Sequence, residues 1–175
     1  MGREATVEFV TLADGTRVCV RPPRPADAEE ILQGFLQLSS TSRYLRFLYP
    51  KAILTRDELE EIVNADGVNH LALVVLEVDS QGEETRGIAV GRFVRLPNEP
   101  NVAEPAITVL DEAQGRGIGG LLCDRLTAAA RARGIRRFRC YVLSENRRAL
   151  ALLRHRFRGF RRERRGELTI VEVDL

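Results

Sequence analysis

Hydrophobic and polar positions alternate with a period of two over residues 7–12 and 16–21. The break between them is Ala13-Asp14-Gly15, so the chain opens with an antiparallel hairpin. Pro22, Pro23 and Pro25 stop the second strand. The period then changes: Ala28, Ile31, Leu32, Phe35 and Leu38 carry the i, i+3, i+4, i+7 spacing of a helix over 27–38 with one apolar face. Segment 39–50 mixes hydroxyls, arginines and aromatics and reads as a packed connector at a helix-to-helix junction. Thr55 with Glu58 three positions on forms a capping box, and a second helix runs to about Asn64.

Long β-rich runs follow at 70–78, 87–95 and 102–110, joined by the polar segments 79–84 and 97–101, which makes an antiparallel meander. Pro105 falls inside the third run, where it has no N–H to give the ladder, so a bulge or a break in pairing is expected there. A helix opens at Ile118 and continues through Leu121, Leu122, Leu126, Ala129 and Ala130 to a cap at Gly134. Strand 136–143 runs parallel to the strand before that helix, because a helix joins them. Ser144 can cap a further helix carrying Ala149, Leu150, Leu152 and Leu153, and residues 160–164 and 168–175 close the chain as a hairpin around Arg165-Gly166. No repeat or internal boundary interrupts the 175 residues, so a single domain over 1–175 is expected.

Composition narrows the choice of partner. Net charge is only +2, yet Lys51 is the sole lysine, so the positive charge is almost all arginine and much of it lies beyond residue 130. That excess suits a solvated surface, or recognition of phosphates and acidic protein surfaces. The arginines from 131 to 165 spread over helix, strand and hairpin with few interleaved aromatics beyond Phe138, Tyr141, Phe157 and Phe160, so a nucleic acid is not the expected partner. The chain has no run of 18 apolar residues and no apolar stretch at 1–5, from which a cytoplasmic protein without a membrane partner is expected. Gly2 and Thr6 match the letters of a myristoylation signal weakly, and the β-like continuation discounts it. Cys19, Cys123 and Cys140 are odd in number and scattered, which fits buried apolar residues rather than disulfides, and two histidines give no metal-ligand spacing. Monomer and homodimer are both compatible with the sequence.

The chemistry concentrates at residues 109–120, where a β-branched run passes into a glycine-dense turn and then a helix. Gln114, Gly115, Arg116, Gly117, Ile118, Gly119 and Gly120 read as an anion cradle: the glycines let the backbone approach a ligand, and the helix directs unpaired N–H groups and its positive dipole end at it. Two phosphate motifs fit. Gly115, Gly117 and Gly120 satisfy the dinucleotide pattern G-x-G-x-x-G, but that pattern should open a series of βαβ units, and here only one such unit remains. Gln114, Gly117 and Gly119 satisfy Q-x-x-G-x-G, which resembles the coenzyme A pyrophosphate loop of the GNAT superfamily of acyl-CoA-dependent N-acyltransferases.

The element order β-β-α-α-β-β-β-α-β-α-β-β is similar to that of GNAT proteins over almost the whole chain. The resemblance implies an α/β (α+β) fold, with a central mixed, mostly antiparallel sheet of about seven strands flanked by four helices. It also implies that the sheet splays between the fourth and fifth core strands to admit the pantetheine arm. A narrower likeness, to bacterial protein-lysine acetyltransferases, rests on Arg24-Pro25-Ala26-Asp27, on the serine-rich element 39–47, and on Ala103-Glu104-Pro105-Ala106.

The resemblance implies acetyl-CoA as co-substrate without a metal, and a protein lysine or a small-molecule amine as acceptor. Transfer to an amine needs a base, because an ammonium has no lone pair, and Glu104, beside the expected irregularity, is the candidate. Asp111 and Glu112 stand at the phosphate end and would repel it. Ile107 and Val109 are the expected backbone partners of the pantetheine amides, and Asn146 resembles the asparagine that contacts the coenzyme. The tyrosine that many GNAT enzymes place seven residues after that asparagine is Leu153 here, which weakens the acid role there without excluding catalysis. Arg43, Tyr44 and Phe47 are expected to choose the acceptor, with Asp57, Glu58, Glu60 and Glu61 attracting a cationic one. The alternatives are a non-catalytic acyl-CoA-binding domain and the dinucleotide reading.

Overall fold

The computed structural model describes residues 7–175; the amino-terminal residues that bear on the myristoylation pattern lie outside the described part. Strands β1 (Glu8–Thr11) and β2 (Arg17–Arg21) form the opening hairpin, with Asp14 Oδ1 accepting from Thr16 N in the turn. Helices α1 (Ala28–Gln37), α2 (Ser40–Phe47) and α3 (Arg56–Val63) follow, then the meander β3 (His70–Val78), β4 (Glu84–Leu96) and β5 (Glu99–Val109). Helix α4 (Ile118–Ala132) crosses to β6 (Arg137–Leu143), and α5 (Arg147–Arg156), β7 (Arg161–Arg165) and β8 (Leu168–Asp174) complete the chain.

The eight strands form one sheet in the order β1-β2-β3-β4-β5-β6-β8-β7, antiparallel except between β5 and β6. The capping box at Thr55 and Glu58 is present and starts α3 as the sequence demands. Segment 39–47 is the main departure: it is a fifth helix rather than a connector, started by Ser39, whose hydroxyl accepts from Ser42 N. Its serines and arginines masked the helical period because their apolar partners are few. Asn146, not Ser144, caps α5 through its side chain.

The register assigns the two faces. Opposite Ile107, Gly91 turns its missing Cβ toward Leu122 and Leu126 of α4, with ideal Cβ contacts of 3.1 and 3.2 Å that leave no room for a larger residue. The alternating set Glu104, Ala106 and Thr108 therefore points to the opposite face, where Thr108 Oγ1 accepts from Arg46 of α2 at 3.0 Å. Between the layers lies a core that includes Val75, Phe93, Leu122, Leu126, Phe138 and Val171. Arg21 is the exception to an apolar interior: only 2% exposed, it is gripped by Asp27 at 2.7 Å and Glu84 at 2.6 Å, which ties β2 to the entry of α1 and to β4.

The bulge expected at Pro105 is absent. Register between β4 and β5 runs unbroken from Ala89↔Val109 to Arg95↔Ala103, and its shift falls at Arg95/Leu96 instead. The irregularity lies on the other edge: β5 pairs with β6 only at Val102↔Arg137 and Ala103↔Phe138, and beyond Ala103 the two strands separate. Leu110 N donates to Ile88 O of β4, so by ladder alternation the amide positions of 105, 107 and 109 face β6. Pro105 thus places its missing donor on the opened edge, where no ladder bond is lost.

Candidate active site

After β5 a 3-10 turn at Asp111–Ala113 leads into the glycine loop. Gly115 (φ +79°) and Gly117 (φ +85°) hold left-handed backbone that side-chain-bearing residues rarely adopt, with open space around both. The first amide here to find a helical acceptor is that of Leu121, which donates to Gly117 O at 3.0 Å, so the amides before it are left to point out of the start of α4. Such a start suits a pyrophosphate. Ile118 has only its amide to offer a ligand, since its side chain is 1% exposed in the core. Gly120 serves packing: the space of a Cβ there is filled by the Arg156 guanidinium, which is paired with Asp124.

Arg116 departs from expectation. Its guanidinium turns away to the scaffold, donating to Asp14 at 2.7 Å, Glu77 at 2.9 Å and Thr16 at 2.5 Å, so it latches the loop to the β1–β2 turn and to β3. The Asp14 carboxyl is held at a pKa of about 2 by the Thr16 amide and the Arg116 guanidinium. Gln114 bridges three elements: its Nε2 donates to Val109 O at 3.2 Å and Ser42 Oγ at 3.3 Å, while its Oε1 accepts from Arg148 of α5 at 2.5 Å. Asn146 Oδ1 is used as the helix cap on Ala149 N, leaving the amide nitrogen for the cleft it lines.

A cleft of about 620 Å³ opens along the splayed edge of β5 and is lined by Glu104, Ile107, Val109, Gln114, Gly119 and Asn146 among others. The structure thus gathers these expected residues around one space, with Gln114 and Gly119 from the loop and Glu104 from the middle of β5, while Gly115, Arg116, Gly117, Ile118 and Gly120 are not part of its lining. Within β5, the carbonyl of Val109 is taken by Gln114, while the amides of Ile107 and Val109 face the opening. Three cleft residues escaped the sequence reading: Arg46, Arg148 and Tyr141. Arg148 sits two positions after Asn146, and Tyr141 is the one phenol among the described residues lining the cleft, on β6 across the splay.

Helix α2 is anchored to the loop. Asp111 accepts from Ser39 N, Ser39 Oγ and Ser42 Oγ at 2.7–3.1 Å; burial raises its carboxyl, but these donors outweigh that and hold it below the usual range. Of the three expected acceptor residues, only Phe47 reaches the cleft. Arg43 is tied to the carbonyls of Leu36 and Leu38 and lies over the Phe35 ring, and Tyr44 lines neither cavity. Arg46, one turn further along α2, lines the cleft where Arg43 does not. Of the acidic residues on α3, Glu58 is already bound to Lys51 at 2.8 Å.

Cys123 and Cys140 also line the cleft, and burial pushes the Cys123 thiol up to about 11 and the Cys140 thiol upward as well. Held protonated, neither is placed to act as a nucleophile. Among the described residues no cluster suits a metal ion, and no helix is long and apolar enough to cross a membrane.

A sheet splayed between two parallel strands, a free amide edge and a loop of unpaired N–H groups define an acyl-CoA-binding acyltransferase site. The chain belongs to the GNAT family: residues 17–156 match the Acetyltransferase (GNAT) domain, whose members take acetyl-CoA as acyl donor. Acetyltransferase Pat of Mycolicibacterium smegmatis is 34% identical over 151 residues, covering 83% of this chain and 44% of that protein. Acetyltransferase PA5475 of Pseudomonas aeruginosa is 32% identical over 126 residues, covering 72% and 66%. The crystal structure of the GNAT domain of S. lividans PAT is 30% identical, with a TM-score of 0.84 over 97% of each chain. The chain therefore spans about half the length of the first of these curated relatives.

Proposed function

We propose that this chain moves an acetyl group from acetyl-CoA to a primary amine by direct attack, with a protein lysine as the preferred acceptor. The observation that carries the reading is the placing of Glu104 on the α2 face of β5, where that strand has just parted from β6. Glu104 takes a proton from the ammonium, and the freed nitrogen lone pair forms the C–N bond at the thioester carbonyl. An amide of the β5 edge faces the oxygen as it gains charge. The C–S bond then breaks as Tyr141 gives its phenol proton to the departing sulfur, the second proton shed by the acylated nitrogen passes through solvent to restore the phenol, and the Glu104 proton leaves to solvent. The loop amides of 117–120 hold the pyrophosphate, and Gln114 with Arg148 fixes the rim beside it.

The lysine preference is supported by the likeness to the Pat proteins and by the anchored α2 wall beside the cleft. The test is thiol release from acetyl-CoA against lysine peptides, polyamines and aminoglycosides, with mass spectrometry of a treated lysate. Acetyl-lysine above a Glu104→Gln control supports the protein acceptor. Turnover of a polyamine alone moves the acceptor to a small amine, and no turnover with any amine leaves an acyl-CoA-binding domain.

A further inference from the structure

We propose that Arg46 and Arg92 form a carboxylate-binding subsite on the acceptor side, which selects amines carrying a carboxylate nearby. The inference rests on the amine-acetylating reading and deepens it. A second cavity, of about 100 Å³ and walled largely by apolar side chains such as Phe35, Leu54, Ile62 and Val74, lies under α1 and α3. It shares Arg46, Phe47, Ala106 and Thr108 with the coenzyme cleft, so Arg46 stands where the two spaces meet. Arg92 of β4 lies opposite Ala106 and lines the same cavity.

Several interior or partly buried arginines are matched by carboxylates, while Arg43, Arg95 and Arg133 are taken up by backbone carbonyls. Arg21 holds Asp27 and Glu84, Arg139 holds Glu99 and Glu172, and Arg116 holds Asp14 and Glu77. Arg46 is not: its Nε donates to the Thr108 hydroxyl and its guanidinium lies 4.7 Å from the Phe47 ring centroid, but among the described residues no carboxylate bonds it. Arg92 likewise has no ion-pair partner among the described residues. The carboxylates around the cavity are engaged elsewhere, Asp27 by Arg21, Glu30 by the Gly87 amide and Glu58 by Lys51, which leaves Glu104 for the proton. Burial, with the like charge of Arg92, brings the Arg46 pKa down to about 10, against the opposing pull of the Glu104 and Glu58 carboxylates, which lie near without bonding it. A planar carboxylate accepts two parallel N–H bonds from such a fork, and its hydrocarbon neighbour fits apolar walls.

The experiment compares acceptors differing only in that group: lysine peptides with Glu or Gln beside the lysine, and 6-aminohexanoate against 6-aminohexanamide. The wild type should favour the carboxylate member in kcat/KM by roughly 10-fold or more, the scale of a charge-assisted bidentate contact. Arg46→Gln should bring that ratio to near one with acetyl-CoA affinity and thermal midpoint retained, Arg46→Lys should keep part of it, and Arg92→Gln should reduce it. The peptide and amino-acid arms distinguish an acidic side chain from a free carboxylate as the source. A readout independent of turnover is the Arg46 Nε–Hε resonance, identified by its loss in Arg46→Gln: pentanoate should shift it saturably and pentanamide should not. Equal use of both acceptor classes, or a preference that survives Arg46→Gln, overturns the subsite. Turnover of no amine, with a pentanoate-specific shift, instead overturns the transferase reading and keeps the subsite.

Discussion

Gln114 and Val109 are joined across the start of the glycine loop, the Gln114 amide donating to the Val109 carbonyl at 3.2 Å. One bond thus links the two functions of the strand end: it silences the last carbonyl on the opened edge of β5 and fixes where the loop begins. The remaining amides of that edge and of α4 then face one continuous cleft.

Gly117→Asp and Gly119→Asp should each weaken acetyl-CoA binding by roughly 100-fold or more, because a carboxylate and a Cβ enter where phosphate must approach the helix start. At Gly117 the φ of +85° adds backbone strain. Calorimetry showing unchanged affinity would overturn the loop assignment, and tight NADH binding would restore the dinucleotide alternative.

Glu104→Gln should lower kcat by roughly 100-fold or more with coenzyme affinity nearly intact, the usual cost of losing a general base. Tyr141→Phe should cost less, about 10-fold, because a thiolate leaves tolerably without a proton near neutral pH. Steady-state rates that match the wild type across the pH range would place the base elsewhere.

Arg116→Ala should raise the acetyl-CoA dissociation constant by about 10-fold through a loop that must be ordered on binding. The latch to Asp14, Thr16 and Glu77 is the cause, so Asp14→Asn should move affinity in the same direction. Faster amide exchange at 115–120 is the accompanying signature; unchanged exchange with weaker binding would show direct ligand contact instead.

Removing Arg21 strands two carboxylates, and Arg21→Ala should lower the unfolding free energy by about 3–5 kcal/mol. The pH dependence has a definite sign. The Arg21 guanidinium holds Glu84 below its ordinary value, and Asp27 is also held down, Arg21 and the Arg24 amide outweighing its burial. Carboxylates depressed in the folded state contribute stability that is present above their unfolded pKa, about 4, and lost as pH falls through the folded values. Urea titrations from pH 6 down to pH 3 should show that loss in the wild type and a smaller one in Arg21→Ala.

Much of the architecture was legible because the opening hairpin and the helices α1, α3 and α4 carry their own period, the meander strands are long β-rich runs, and Thr55 and Glu58 announce α3. Helix α2 was hidden, because its serines serve Asp111 and its arginines serve carbonyls and a hydroxyl rather than an apolar stripe. Pro105 announced an irregularity but not its kind, since which edge of β5 opens depends on a neighbour distant in sequence. The letters of the loop were readable as a ligand cradle, whereas the direction of the Arg116 side chain was not: its partners Asp14 and Glu77 come from other elements. Arg46 stands three residues after Arg43, and only the helical turn between them decides which one enters the cleft.

The two residue pairs that join β5 to β6 make the sheet a ribbon almost cut through. Strands β6, β8 and β7 form a panel hinged to the rest mainly by those rungs and by α4, and an acyl-CoA lying along the free amides of Ile107 and Val109 would replace the missing strand. The substrate is then also a stitch in the fabric of the protein. Amides of 137–143 and 168–174 should open to exchange together in the free protein and close together on acetyl-CoA binding, so that loading with the donor sets the stiffness of the whole β6-β8-β7 panel.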